Sequence, residues 1–446
     1  MKLKALFQER NIFSYVFIFC LTISCLIVLN IVTAKLPTTL LFGKIEAAFN
    51  NSSLTRSDVG GNIGGRDSWR GQHQFQDCLV LMQALNLGDS WVENALVAPK
   101  SGQAGKCQWL WDFVFKEREI EELKSSVEPY YQYNHGAKSV AFILVSLMPL
   151  DLVRTLLKFG STVLIGISGF TLIMIGRRYE AGVGFMASGV ATIIFLTNLH
   201  GIDFFGQNLS HGLSDWVSLG YLSFLLYSIY RTYSHRVVVG VSIIFGCLAA
   251  YIEYFVGLLP FCLISIPIYG AIKFKVDEGF TLDKVIWIGL AFCASFIGTF
   301  LVFLLAKYFF IDKEIFSQFI HAFMFRVDGL SYGRADTYYR LYHYALFIGS
   351  GSKFTVVLYT VSLFLIIAIQ CFFWRKNLFR TKLSNALFLA AAALPFVWYS
   401  IFVNHTYIHC WFMVRLITLS YISLFMLVSL LPFKARDSEK AHENFL

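Results

Sequence analysis

Long unbroken apolar runs, not strict alternation, set the pattern of this chain. Runs close to the ~20 residues that carry a helix across a bilayer recur at roughly 13–33, 157–176, 182–199, 217–231, 237–255, 258–273, 285–307, 354–374, 385–403 and 411–433. They predict an all-α polytopic membrane protein with about ten transmembrane helices, folded as a single transmembrane domain over 1–446. The first run includes Val32-Thr33-Ala34, which loosely resembles a signal-peptidase site. Its apolar stretch outruns the ~7–15 residues of a signal-peptide core, so it reads as a retained span.

The polar connections sort by charge. One set carries Lys2, Lys4 and Arg10; Arg177 and Arg178; Arg231 and Arg236; Lys273, Lys275 and Lys284; Arg375, Lys376, Arg380 and Lys382; and Lys434, Arg436 and Lys440. The alternate short connections, 200–216, 256–257 and 404–410, contain neither Lys nor Arg. The positive-inside rule makes the first set cytoplasmic and predicts both termini inside. Much of the net charge of +9 is thus a topology signal and needs no nucleic acid or other polyanion. With 57% hydrophobic and 15% charged residues, the chain cannot clothe a soluble surface. An ordinary soluble enzyme, a disordered protein and a nucleic-acid binder are all excluded.

Two long outer segments remain, about 34–156 and about 308–353, and water-exposed chemistry is expected there. In the first, apolar positions 79, 82 and 85, joined by 78 and 81, predict a short amphipathic helix with Asp77 at its start. An aspartate there also suits plain helix capping. Cys78 and Cys107 share this segment, and their pairing is left open by spacing alone. Glu128 to Lys138 is Tyr-rich and ends in His135-Gly136-Ala137-Lys138. The apolar stretch from there to Met148 is too short to span and predicts a helix lying on the outer membrane face. No metal-ligand spacing, Walker loop, dinucleotide fingerprint or internal repeat is found.

The order of these parts resembles the GT-C glycosyltransferases, polytopic enzymes that use polyprenyl-phosphate sugars and include the lipid A aminoarabinose transferases and the protein O-mannosyltransferases. The matching residues are Asp77, the helix through Leu87, the turn Gly88-Asp89-Ser90-Trp91, the element Tyr133-Asn134-His135-Gly136, Arg154 and the basic turn Gly176-Arg177-Arg178. The layout covers about the first 270 residues. Cys78 stands where those families carry a second acid, and His135-Gly136 replaces a Pro pair. The chain is also similar to little-characterised bacterial multi-span proteins with a late Asn-His-x-x-Ile-His, here Asn404 to His409.

The resemblance implies transfer of a sugar from a polyprenyl-phosphate donor to a glycan or lipid acceptor on the outer face, by direct displacement. It makes Asp77, with Asp67 second, the carboxylate that takes the acceptor's proton. Charge on the leaving phosphate needs cations or amides. The candidates are Arg415, a costly charge inside the last span, His405 and His409 at i, i+4, and His135, Arg154 and Lys138. Arg154 and Lys138 equally suit snorkelling to headgroups. Substrate contacts are expected from Glu253, another intramembrane charge, and from Arg326, Arg334, Tyr338, Tyr339 and Arg340, residue types that stack on sugars and grip anions. These last five also fit an interfacial aromatic belt. No cofactor is required, and a divalent metal is left open. The alternatives are an O-antigen-type polysaccharide polymerase and, third, a flippase of lipid-linked sugars, for which the inverted repeats are missing.

Overall fold

A computed structural model describes residues 9–58, 67–101, 105–116, 125–131, 133–180, 182–202, 206–252, 257–327, 333, 335–341 and 379–430. The elements in chain order are α1 (Glu9–Lys35), α2 (Thr39–Asn50), α3 (Asp67–Ala84), α4 (Trp91–Leu96), β1 (Ala98–Ser101), α5 (Lys106–Phe115), β2 (Val127–Tyr130) and α6 (Gly136–Leu147). There follow α7 (Leu150–Arg178), α8 (Gly182–Leu199), α9 (His211–Tyr230), α10 (His235–Ile252), α11 (Leu258–Val276), α12 (Leu282–Phe310) and α13 (Ile315–Val327). A helical stretch over 335–341 precedes α14 (Phe379–Ile401) and α15 (Val403–Ile408). The chain then forms α16 (Cys410–Met413), a 3-10 turn (Val414–Leu416) and α17 (Ile417–Ser429).

The protein is an all-α multi-pass membrane protein in its long elements. Among the described residues, six helices are long and apolar enough to cross a bilayer: Ile12–Lys35, Leu150–Arg178, His235–Ile252, Leu258–Val276, Leu282–Phe310 and Lys382–Ile401. The other expected spans are realised differently. Val183–Leu199 and Val414–Ser429 are apolar but shorter. The helix α9 has a spanning length but turns Ser214, Asp215, Ser218, Ser223 and Ser228 inward. The run at 354–374 lies outside the described residues.

The long helices pack as a bundle in which α10 lies along α12, α7 along α8 and α9, and α14 along α11 and α17. Lipid-facing positions stay apolar and exposed, as with Phe13, Phe17, Phe159, Phe170 and Phe309. At one end of the bundle sits a layer built from α2 to α6 and a two-stranded antiparallel sheet, β1 on β2, with Ala98 opposite Tyr130. Ser90 caps α4 by accepting the Glu93 amide at 3.1 Å. A Cys78–Cys107 disulfide joins α3 to α5.

The short apolar stretch after His135 forms the helix α6, buried along Lys138, Ala141, Phe142 and Val145 and open at Leu147. Its start is forced by close packing. His135 is left-handed at φ 56°, and a methyl on Gly136 would sit 2.2 Å from Tyr251 Cδ1. Only a residue without Cβ lets α6 meet α10 so closely.

The sequence reading placed the start of the Asp77 helix too late. The helix α3 begins at Asp67, so Asp77 lies well inside it and cannot be its N-cap. The upstream turns are polar, and a polar helix leaves no apolar stripe to read.

Candidate functional site

Asp77 points out of α3 into the junction between the end layer and the bundle and is fully buried. Arg154, in the first turns of α7, donates from Nε at 2.8 Å and Nη2 at 2.7 Å to Asp77 Oδ2. The Leu209 amide donates to the other oxygen, Oδ1, at 2.7 Å. Burial raises Asp77 above the usual carboxylate range, while Arg154 and the Leu209 amide pull it back. Arg154 also donates to the Ser53 carbonyl at 2.8 Å and lies 3.5 Å from Asp151 Oδ1. Two residues expected in different roles, base and phosphate ligand, thus form one ion pair.

The segment that reaches Asp77 continues into a cluster of rings. Asn208 Oδ1 accepts the amides of Ser210 and His211, at 3.1 and 2.6 Å, and starts α9. The His211 ring lies 5.1 Å from that of Phe412. Phe412 in turn stacks on His409 at 5.1 Å and meets His405 at 6.2 Å. His405 and His409 share a face, as their spacing requires, with ring centroids 4.7 Å apart. Burial, and then the charge of Arg326, pull His409 down to about 4, so it is neutral at pH 7.

Arg326 donates from Nη2 to the Tyr133 hydroxyl at 2.7 Å and from Nη1 to Ala322 O at 2.7 Å. The Tyr133 ring is 6.2 Å from that of His135. His135 is fully buried, and its Nε2–H donates to Tyr130 O at 2.5 Å. Burial and the nearby Lys307 and Lys138 charges hold it well below the ordinary histidine range. Contacts therefore run from the Asp77 pair through 208–211 to the late histidines, and Arg326, whose charge reaches His409, contacts Tyr133 beside His135.

Other expected residues have local jobs. Lys138 donates to the carbonyls of Asn94, at 2.5 Å, and Val97, at 2.6 Å, and so closes the end of α4. Burial pushes it down to about 7. Arg415 sits in the 3-10 turn, pairs with Asp215 and donates to His200 O at 2.7 Å. His200 Nε2 is 3.1 Å from the same Asp215 oxygen. These groups line a space of about 10 Å³, room for at most about one water. Tyr338 is tied to Ser400 at 2.8 Å, Arg340 lies over the Tyr407 ring at 3.9 Å, and Tyr339 is exposed. The side chain of Asp67, together with Glu253 and Arg334, lies outside the described residues.

Two contributors were missed. Lys307, near the end of α12, donates to Tyr131 O at 2.9 Å and to Tyr133 O, fixing the Tyr-rich strand. A lysine at a span end otherwise reads as a headgroup anchor. Asn30, inside the first span, was the other, and an amide in an apolar run was the signal. Among the described residues no group of three or more His, Cys, Asp or Glu side chains is set to hold a metal.

No family model, curated protein or solved structure matches this chain.

Proposed function

We propose that this chain is a membrane glycosyltransferase of GT-C type. In this reading it moves a sugar from a polyprenyl-phosphate donor to a surface glycan or lipid-linked acceptor, on the outer face of a bacterial inner membrane. Ten spans cross the bilayer, with the Lys- and Arg-bearing loops and both termini cytoplasmic. The helices α8, α9 and α17 and the run at 354–374 supply the spans beyond the six long ones.

The observation that carries the proposal is the Asp77–Arg154 pair at the base of the outer layer. Displacement at a sugar carbon needs a carboxylate and a cation side by side. At rest the two neutralise each other. A donor phosphate competes for the Arg154 guanidinium through bidentate hydrogen bonds. Asp77, already raised by burial, then faces the acceptor hydroxyl. The acceptor oxygen bonds to the sugar carbon, the bond from that carbon to the phosphate oxygen breaks, and the electron pair leaves with polyprenyl phosphate. The hydroxyl proton passes to Asp77. The exposed Tyr339 and the Arg326–Tyr133 contact supply surfaces for sugar and anion.

The test is sugar transfer by membranes containing the chain, supplied with a polyprenyl-phosphate sugar and envelope glycan. Transfer is expected, with loss in Asp77→Asn although the protein inserts and keeps its disulfide. Full activity in Asp77→Asn removes the base. A deletion that shortens glycan chains without losing a side-branch sugar favours the polymerase. Lipid movement with no glycosidic product refutes both.

A further inference from the structure

A large cavity lies away from the Asp77 pair. It is a groove of about 840 Å³ between α1, α10 and α12, lined by Ile12, Val16, Val239, Ile243, Leu290 and Ala294 among others. Its walls are apolar and open sideways, so it suits a hydrocarbon chain and not the polar chemistry of sugar transfer.

Three observations define an occupant. First, close helix contacts bound the groove. The helix α1 meets its neighbours at two glycines: a methyl on Gly298 would lie 2.7 Å from Phe19 Cζ, and one on Gly240 would lie 3.2 Å from Ile18 Cδ1. Away from these contacts, toward the N-terminal ends of all three helices, the groove continues. Second, its depth fits one leaflet. From Trp287 to Gly298 the rise along α12 is ~16 Å, and half the hydrocarbon core is ~15 Å. A single acyl chain fits that depth, whereas a long polyisoprenoid does not.

Third, the polar groups gather at the open end. Ser234, His235 and Arg236 line it, and Tyr15 lies within electrostatic reach of Arg236. Lys284 and Asp283 lie within reach of His235. Among the described side chains the mouth carries Arg236 and Lys284 beside Asp283, which suits a phosphodiester headgroup. Trp287 sits at the same level, where indole rings favour the bilayer interface.

We infer that this groove binds one anionic phospholipid of the leaflet beside the Lys- and Arg-rich loops, with an acyl chain between α1 and α12 and its phosphate at Arg236. The site lies apart from the proposed reaction centre and stands or falls without it.

Native mass spectrometry of the full-length protein in detergent tests this, with phosphatidylglycerol and phosphatidylcholine as probes. The wild type should retain one phosphatidylglycerol in preference to phosphatidylcholine. Arg236→Gln should reduce that preference about fivefold, the worth of one surface cation. Ala294 is exposed on the groove wall, so Ala294→Trp should fill the groove and expel the lipid with an unchanged melting temperature. Equal retention of both lipids by the wild type, or undiminished phosphatidylglycerol binding in Ala294→Trp, overturns the inference. So does a Val16→Cys variant that cross-links into a dimer and holds no lipid, because a second chain then fills the groove. If Ala294→Trp does not fold, Arg236→Gln, at an exposed position, still decides the case.

Discussion

Arg154 grips a single oxygen of Asp77 with two nitrogens, and the Leu209 amide holds the other oxygen. The carboxylate is entirely shielded, whereas the guanidinium keeps contact with Ser53 and Asp151 near the surface. The pair is therefore lopsided.

That asymmetry predicts unequal costs. Arg154→Ala strands a desolvated carboxylate and should cost ~3–5 kcal/mol. Asp77→Asn keeps the shape and the Leu209 contact and leaves Arg154 with its other partners, so it should cost ~1–2 kcal/mol. Thermal unfolding of the two variants in detergent checks this. Equal losses would mean that the Arg154 contacts to Ser53 and Asp151 carry no weight.

The Cys78–Cys107 bridge closes a loop of 29 residues in sequence separation. Loop-closure entropy makes it worth ~3–4 kcal/mol to the end layer. Reduction, or Cys107→Ser, should lower the melting temperature of this layer and expose Asp67–Ala84 to protease first. No change on reduction would show that packing of α3 on α6 suffices.

His135 and Lys138 give the end layer a pH dependence of definite sign. Both are held below their ordinary values of 6.5 and 10.5 by burial, Lys138 to about 7. A group whose folded value is depressed favours the fold at high pH and loses that contribution as pH falls. Stability should decline from about pH 10.5 to pH 7 through Lys138, and again below about pH 6.5 through His135. Lys138→Met should flatten the upper limb and His135→Gln the lower one. Melting temperatures that stay level from pH 10 to pH 5 would refute the assignment.

Gly136→Ala should force α6 off Tyr251 and cost ~1–3 kcal/mol through overpacking. Tyr251→Leu in the same chain should recover part of the loss, since it removes the ring that the methyl strikes. A melting curve for the double variant lower than that for Gly136→Ala alone would argue against this contact as the cause.

How much of this is legible from residues alone varies with the physics. Spanning length is local, so the long helices and the short helix after His135 were readable. The i, i+4 spacing of His405 and His409 also translated directly into a shared face. Pairings at a distance were not readable. Asp77 and Arg154 each stood out, yet nothing local says that they meet across 77 positions. Arg415 signalled a buried charge, but nothing local marks Asp215, in the connection 200–216, as its partner. The last span was hidden differently, because mean hydropathy gives no sign of the 3-10 turn at Val414–Leu416 that breaks its helix.

Asn30 carries a consequence for the order of assembly. Its side chain donates to Ala95 O at 3.0 Å, and its carbonyl oxygen accepts Ser139 Oγ at 2.8 Å and the Tyr251 hydroxyl. These partners follow it by 65, 109 and 221 residues. When the first helix leaves the insertion machinery, none of them has been synthesised. The amide must then stay with water, lipid headgroups or a chaperone until α10 arrives, because an unpaired polar group in hydrocarbon is costly. The first helix to be made is thus among the last to dock, and its release from any holding partner should wait for translation past Tyr251.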